Sequence, residues 1–203
     1  METRHAARIR MALTGTTASV ALVWIWWILD PSAPASPLVP GIATLVLAAN
    51  IPLTVARPDV KRALVAAIQR FALNPMIRLM FRIGFVPFGY ALLETTGRRT
   101  GRTHVVPVGN GLEGDVFWII AEHGYRAGYV NNLIAQPKVR LKFRRGLRFE
   151  WHEGLAEVLP EADALQRQRT ISRRHPLRIL NAIVVRTLGT DLLVIRVALS
   201  ERV

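Results

Sequence analysis

The chain of 203 residues has no cysteine. That excludes a disulfide framework, thiolate catalysis and any Cys-ligated zinc or iron–sulfur centre, and it leaves the compartment open. Acids are scarce too: 14 Asp and Glu stand against 27 Lys and Arg, a net charge of +13. Such a balance calls for an anionic partner, whether a phosphate ligand, a nucleic acid or the cytoplasmic leaflet of a membrane. Only 20% of residues are charged and 51% are hydrophobic, so disorder is excluded. Serines number five, with no Gly-x-Ser-x-Gly and no nearby His/Asp logic, and the five histidines show no paired metal spacing. Neither a catalytic residue nor a metal site is assigned.

The sharpest absence is local. Between Met11 and Ala56 there is no Lys or Arg at all, whereas residues 57–203 hold 24 basic and 12 acidic residues, a net +12. Met11 to Leu29 is uncharged for 19 residues. As a helix it would measure about 28 Å, close to the roughly 30 Å hydrocarbon thickness of a bilayer. Trp24, Trp26 and Trp27 cluster at one end of it, where an interfacial aromatic belt would lie. Asp30-Pro31 stops that run, and a second uncharged run follows from Leu38 to Ala56, interrupted by Pro40, Asn50 and Pro52, with Pro52 expected to kink it. Arg4, Arg8 and Arg10 precede the first run; Arg57, Lys61 and Arg62 follow the second. Positive-inside bias therefore puts both ends in the cytoplasm. The pattern predicts a membrane hairpin over 1–56; a cleaved signal peptide or a buried hairpin of a soluble fold are the plainer alternatives.

Beyond Ala56, apolar residues at Val60, Ala63, Leu64, Ala67, Ile68 and Phe71 predict a basic amphipathic helix over 59–73. Asn74-Pro75 then reads as an N-cap and first helical position for a second helix reaching about Ile83. Both suit a membrane surface and equally suit packing on a domain. From Gly89 the period changes to two, predicting strands at 90–95, 102–108, 115–121, 139–144, 147–159 and 192–199. Short helices are expected at 129–136 and, broken at Pro176, over 161–188. The fold class is α+β: an antiparallel barrel with flanking helices, preceded by a transmembrane helical hairpin. The domain division is 1–56 for the hairpin, 57–88 for linking amphipathic helices and 89–203 for the barrel.

The densest functional signal is the stretch Glu94-Thr-Thr-Gly-Arg-Arg-Thr-Gly-Arg102. Its glycines let backbone N–H groups approach a ligand, and its guanidinium forks bind phosphate or carboxylate in bidentate fashion. It reads equally as an anion site or as a hairpin with solvated arginines. A basic stripe at Lys138, Arg140, Lys142 and Arg144 has no helix-turn-helix, stacking platform or zinc motif beside it, so nucleic acid is not an expected partner. His152 beside Glu153 reads as a surface pair, and Trp118 and Trp151 as core residues.

Leu93-Glu-Thr-Thr-Gly-Arg-Arg-Thr-Gly-Arg102, Val106-Pro-Val108 and Gly114-Asp115, together with Tyr129-Val-Asn-Asn-Leu-Ile-Ala-Gln-Pro-Lys-Val139, resemble the deazaflavin-dependent nitroreductase and quinone reductase family over about residues 74–199. The resemblance implies a split β-barrel that binds coenzyme F420, an 8-hydroxy-5-deazaflavin with a phosphate and an oligoglutamate tail; FMN fits the arginines less well. Carried over by position, Arg98, Arg99 and Thr100 meet the phosphate and tail, and His104, Val105, Val106, Pro107, Val108 and Gly109 run along the deazaflavin. Ala121, Glu122, His123 and Gly124 form a loop over the cofactor, which Tyr129, Val130, Asn131, Asn132 and Leu133 close. Tyr129 departs from the family's usual Trp, and Glu122 and His123 stand where small or basic residues are common. The implied activity is hydride transfer from F420H2 to a quinone, nitro or enone-type lipophilic acceptor, on a barrel held at the cytoplasmic side of a membrane. The alternative is a membrane-anchored, non-catalytic binder of deazaflavin, fatty acid or haem.

Overall fold

The computed structural model describes residues 2–30, 32, 37–84, 90–109, 111–145, 148–173 and 178–200. The expected strand start at Leu147 and the break at Pro176 lie outside these residues. Contacts divide the chain into two units: residues 1–65 with 183–190, and residues 66–182 with 191–203.

The first unit is helical. Helix α1 runs Glu2–Leu29, and α2 (Leu38–Ala48) and α3 (Asn50–Ala56) follow. The helix is interrupted at Ala49, which keeps helical dihedrals (φ −61°, ψ −18°); Pro52 has no N–H to offer the carbonyl of Ala48, where α2 ends. Helix α4 (Pro58–Ile68) begins in this unit, and the end of α8 (Arg178–Leu188) joins it. The crossing of α1 and α8 is close: a Cβ on Gly15 would lie 2.7 Å from the Arg186 carbonyl carbon and the Thr187 nitrogen. Four residues on, Ser19 and Thr187 share a hydrogen bond of 2.9 Å.

The second unit is a sheet. Helix α4 does not end before Asn74: it widens into a π turn over Gln69–Leu73 and continues as α5 (Asn74–Arg82). The expected N-cap is therefore absent, since Asn74 is itself helical with φ −65° and ψ −44°. Pro75 offers no N–H to the Phe71 carbonyl and crowds it, and the wider turn absorbs that. Strands β1 (Tyr90–Thr96), β2 (Thr103–Gly109), β3 (Gly111–Glu113), β4 (Val116–Ala121), β5 (Lys138–Arg145), β6 (Arg148–Leu159) and β7 (Leu193–Leu199) pair in the order β2-β1-β5-β6-β7-β4-β3, all antiparallel. The sheet curls until β2 approaches β4, a half-barrel of split-barrel type. Strand β3 adds a seventh strand to the six expected; at three residues it is too short to show a period.

Alternation fills the barrel. Phe117, Ile119 and Ala121 of β4 point inward with Leu93, Leu141, Phe143, Ile195 and Val197, while Trp118 and Ile120 point to the other face. Helices α6 (Gly128–Ala135) and α7 (Ala164–Arg173) flank the sheet. His152 is a correction: it is buried on β6 and stacks on Phe143 at 4.5 Å instead of forming a surface pair, because the two-residue period points it inward.

Candidate functional site

Between β1 and β2 the chain reverses in a tight turn whose geometry needs its glycines. The Gly97 N–H donates to the Arg102 carbonyl at 2.8 Å, and the Gly101 N–H donates to the Gly97 carbonyl at 2.8 Å. Gly101 adopts φ +66°, the left-handed region in which a side chain is strained. A Cβ on Gly97 would lie 2.8 Å from His104 Nε2, so the imidazole occupies the space that glycine leaves. Arg98, Arg99, Thr100 and Arg102 are all exposed on this turn.

The turn is held from beneath. Buried Asn132 on α6 accepts a hydrogen bond from the Arg98 N–H at 3.2 Å through its Oδ1. Its Nδ2 donates to Thr95 Oγ1 at 3.2 Å, and Thr95 is buried in β1. One side chain thus ties the arginine turn to both the sheet and the helix. Asn131 secures the approach to α6, donating to the Tyr125 carbonyl at 2.6 Å and the Ala127 carbonyl at 3.1 Å. Sequence reasoning named Asn132 but missed Thr95. The two lie 37 residues apart, and only the inward parity of β1 marked Thr95.

A second polar group gathers around Glu122, half-buried just beyond β4. Gln69, from the π turn, donates to Glu122 Oε2 at 2.7 Å. The Asp191 N–H donates to the Glu122 carbonyl at 3.2 Å, and the backbone at His123 pairs in parallel with that at Asp191. Tyr90 and Tyr129 both sense this carboxylate. Burial, then the charge of Glu122, pushes both phenols above the ordinary tyrosine range; a hydrogen bond with Asn181 opposes the shift at Tyr90. Gln69, Tyr90 and Asn181 were not foreseen, because three separate elements bring them to one place.

The remaining expected residues divide by side-chain direction. His104 is exposed on β2, while Val105, Val106 and Pro107 are half-buried there. The side chains of Val108, Ala121, Val130 and Leu133 belong to the barrel core, which leaves only their backbone to face a ligand. Gly109 sits against Asn181, with a hypothetical Cβ 2.5 Å from Asn181 Oδ1. Gly109 also lines a cavity of about 20 Å³ with Trp118, Ile120, Gln168 and Arg178. Trp118 is half-buried under the Arg167 guanidinium, 3.9 Å away. A larger cleft of about 500 Å³ adjoins the arginine turn through Thr95 and Thr96 and is lined by Glu94, Lys138, Arg140 and Glu153. None of the carried-over positions lines it. Within the basic stripe, Arg140 pairs with Glu94 at 3.0 Å and lies over Trp151, so part of that charge is already engaged.

Residues 77–199, about 60% of the chain, match the F420H(2)-dependent quinone reductase family. The chain belongs to that family, which makes it an F420-dependent oxidoreductase with coenzyme F420 as its cofactor. No curated protein matches the chain. Solved structures resembling it include the haem storage protein HutZ from Vibrio cholerae (13% identity, TM-score 0.42, over 63% of this chain and 90% of that one). Two others are an F420-H2 dependent reductase, FDR-A (17%, TM-score 0.39, 56% and 95%), and an F420 reductase (18%, TM-score 0.38, 55% and 86%). At these identities and scores they carry no functional argument; the family assignment rests on residues 77–199.

The donor set suits the cofactor. Three exposed guanidinium groups on one clamped turn match a phosphate and a chain of carboxylates, each able to accept a two-pronged hydrogen bond.

Proposed function

We propose that this protein is a membrane-tethered F420H2-dependent reductase whose acceptor is lipophilic: a quinone, or a nitro or enone compound. The observation that carries the cofactor site is the clamp of Asn132 on the Arg98 backbone, which holds the arginine turn open to solvent. Arg98, Arg99 and Thr100 bind the phosphate and tail. His104 to Gly109 along β2, the 121–124 loop and Tyr129–Leu133 on α6 enclose the ring. When bound, the reduced deazaflavin supplies a hydride. The chain's part is to orient that ring and to exclude water from it, and a quinone that accepts the hydride takes up one proton to become the hydroquinone.

Residues 1–56 form the anchor, 57–88 a linking amphipathic stretch and 89–203 the cofactor domain, which faces the cytoplasm. Supporting the anchor, Ile25, Ile28, Leu29, Leu45 and Val46 are exposed by 51–73%, an exposure that water penalises and lipid rewards. Three helical stretches among the described residues are long and apolar enough to cross a membrane: His5–Leu29, Leu38–Ala56 and Pro58–Arg82.

The test is titration of detergent-purified protein with oxidised F420 and with FMN, followed by fluorescence. F420H2 oxidation by menaquinone in liposomes is then measured. Tight F420 binding, weak FMN binding and quinone turnover are expected. Tight binding without turnover on any quinone, nitro or enone acceptor would replace the reductase by a non-catalytic carrier.

A further inference from the structure

From Val60 to Leu93 the chain has no acid, yet it carries Lys61, Arg62, Arg70, Arg78 and Arg82. Within this stretch α5 has two apolar faces. One is used: Ile77 and Phe81 are buried against Leu92, with Tyr90, Val105, Phe149 and Trp151 around them. Phe81 meets Phe149 edge-on at 5.8 Å, and the Arg78 guanidinium donates to the Val105 carbonyl on β2. The other face is bare. Met76, Leu79 and Ile83 are 48%, 57% and 71% exposed, and Phe71 in the π turn is 75% exposed. At 100° per residue, 76, 79 and 83 fall on one stripe. Arg70 and Arg82 are exposed too, while exposed Arg78 is tied to β2.

An exposed stripe of large apolar side chains flanked only by cations is a poor surface for water and a good one for an anionic bilayer. It is also a poor surface for a second copy of this chain, because the facing arginines would repel. We infer that α5 is an interfacial helix that seats the sheet unit on an anionic lipid surface, with Phe71, Met76, Leu79 and Ile83 at the acyl boundary and Arg70 and Arg82 among the headgroups. This rests on the membrane reading above and adds a contact that the hairpin does not make. Although 58–82 is long enough to span, α5 does not cross. Its Ile77–Phe81 stripe is occupied by a β-sheet, and Arg78 and Arg82 would sit in hydrocarbon. The consequence is local: α5 lies on β2, the strand assigned to the deazaflavin, so an acceptor dissolved in lipid meets the protein beside the reacting ring.

The absence of cysteine makes the test clean. Single variants Leu79→Cys and Ile83→Cys are labelled with an environment-sensitive fluorophore in the full-length protein. Leu22→Cys on α1 and Glu161→Cys, on an exposed turn, are the references. All are reconstituted in phosphatidylcholine vesicles with and without phosphatidylglycerol, using lipids brominated at shallow or deep positions. The expected result is a blue shift at 79 and 83 and at least twofold quenching, stronger with shallow bromines, rising with phosphatidylglycerol and absent at 161. Arg70→Glu with Arg82→Glu should abolish the phosphatidylglycerol dependence. Labels at 79 and 83 that stay in water while position 22 is quenched overturn the inference and leave the anchor standing. Stronger quenching by deep bromines at 79 overturns it in favour of a span. No quenching at any position, 22 included, overturns the inference together with the anchor.

Discussion

In the helical unit several polar side chains meet one another, beside a small apolar interior of Met11, Ala12, Val65 and Val185. Asn50 donates to Thr16 at 3.0 Å and Trp24 to Thr44 at 3.0 Å, while Lys61 is only 2% exposed and donates to Thr54 and to the Gly189 carbonyl, each at 2.7 Å. Ile28, Leu29, Leu45 and Val46 face out. In the sheet unit the arrangement is reversed: Phe117, Phe143, Leu93 and Ile195 fill the interior and the arginines of the turn face out. The lesson is that burial of apolar area organises the sheet unit, whereas small residues and hydrogen bonds organise the helical one. The second would suit the membrane anchor proposed above, where the surroundings are as apolar as the side chains.

The comparison breaks most visibly at the arginine turn. Replacing Arg98 and Arg99 together by Ala should remove two charged contacts, roughly 1.5–3 kcal/mol each, and weaken F420 binding by about a hundredfold or more. Both side chains are exposed, so the thermal unfolding of the protein should be unchanged. Normal F420 affinity in the double variant, measured by fluorescence titration, would remove the site from this turn.

A change of the opposite kind belongs to the helical unit. Lys61→Met keeps the bulk but deletes the donor to Thr54 and Gly189, at a cost of about 1.5–3 kcal/mol for each bond to a charged donor. Melting in detergent should fall while F420 affinity holds. A variant as stable as the parent would mean that the polar interior is not what organises this unit. Gly15→Leu asks the same question more gently. Its side chain meets the Arg186–Thr187 backbone, and overpacking of this sort costs about 1–3 kcal/mol. No loss of stability would mean that α1 and the 183–190 segment do not need close approach.

How much of this was legible in the chain follows the range of the interaction. Six strands showed through alternation of side chains within each, and the arginine turn through its glycines, because both signals are local. Residues 183–190 join the helical unit through Gly15, 171 residues away from Arg186, and no period or motif encodes such a meeting. Pro75 was visible, yet it reads equally well as a fresh helix start or as a π turn. What decides is the packing of Ile77 and Phe81 on the sheet, which keeps the helix going. Glu122 looked like a departure from its family; the structure surrounds it with Gln69, Tyr90 and Tyr129, each delivered by a different element.

That last group gives the smallest test, and it separates the two units by chemistry. All three tyrosines, Tyr90, Tyr125 and Tyr129, lie in the sheet unit. Burial raises the Tyr129 phenol first, and the Glu122 charge raises it further. A raised value means the folded protein keeps a proton that the unfolded chain gives up above pH ~10, the ordinary tyrosine value. The unfolded state then binds fewer protons, so stability falls as pH rises. The contribution of Tyr129 is complete below pH ~10 and is lost as pH climbs through its folded value, with a limiting slope of about 1.4 kcal/mol per pH unit. Tyr129→Phe has no proton to lose, so between pH 9 and 12 its denaturation midpoint should fall less steeply than the parent's. Glu122→Gln should flatten the slope only in part, since burial is the larger cause. Stability followed through the tryptophans of α1 should show no difference between parent and Tyr129→Phe, because that unit holds no tyrosine. Parallel decline of parent and Tyr129→Phe, measured by urea midpoints alongside ultraviolet titration of the phenols, would mean that Tyr129 ionises like a solvent-exposed tyrosine.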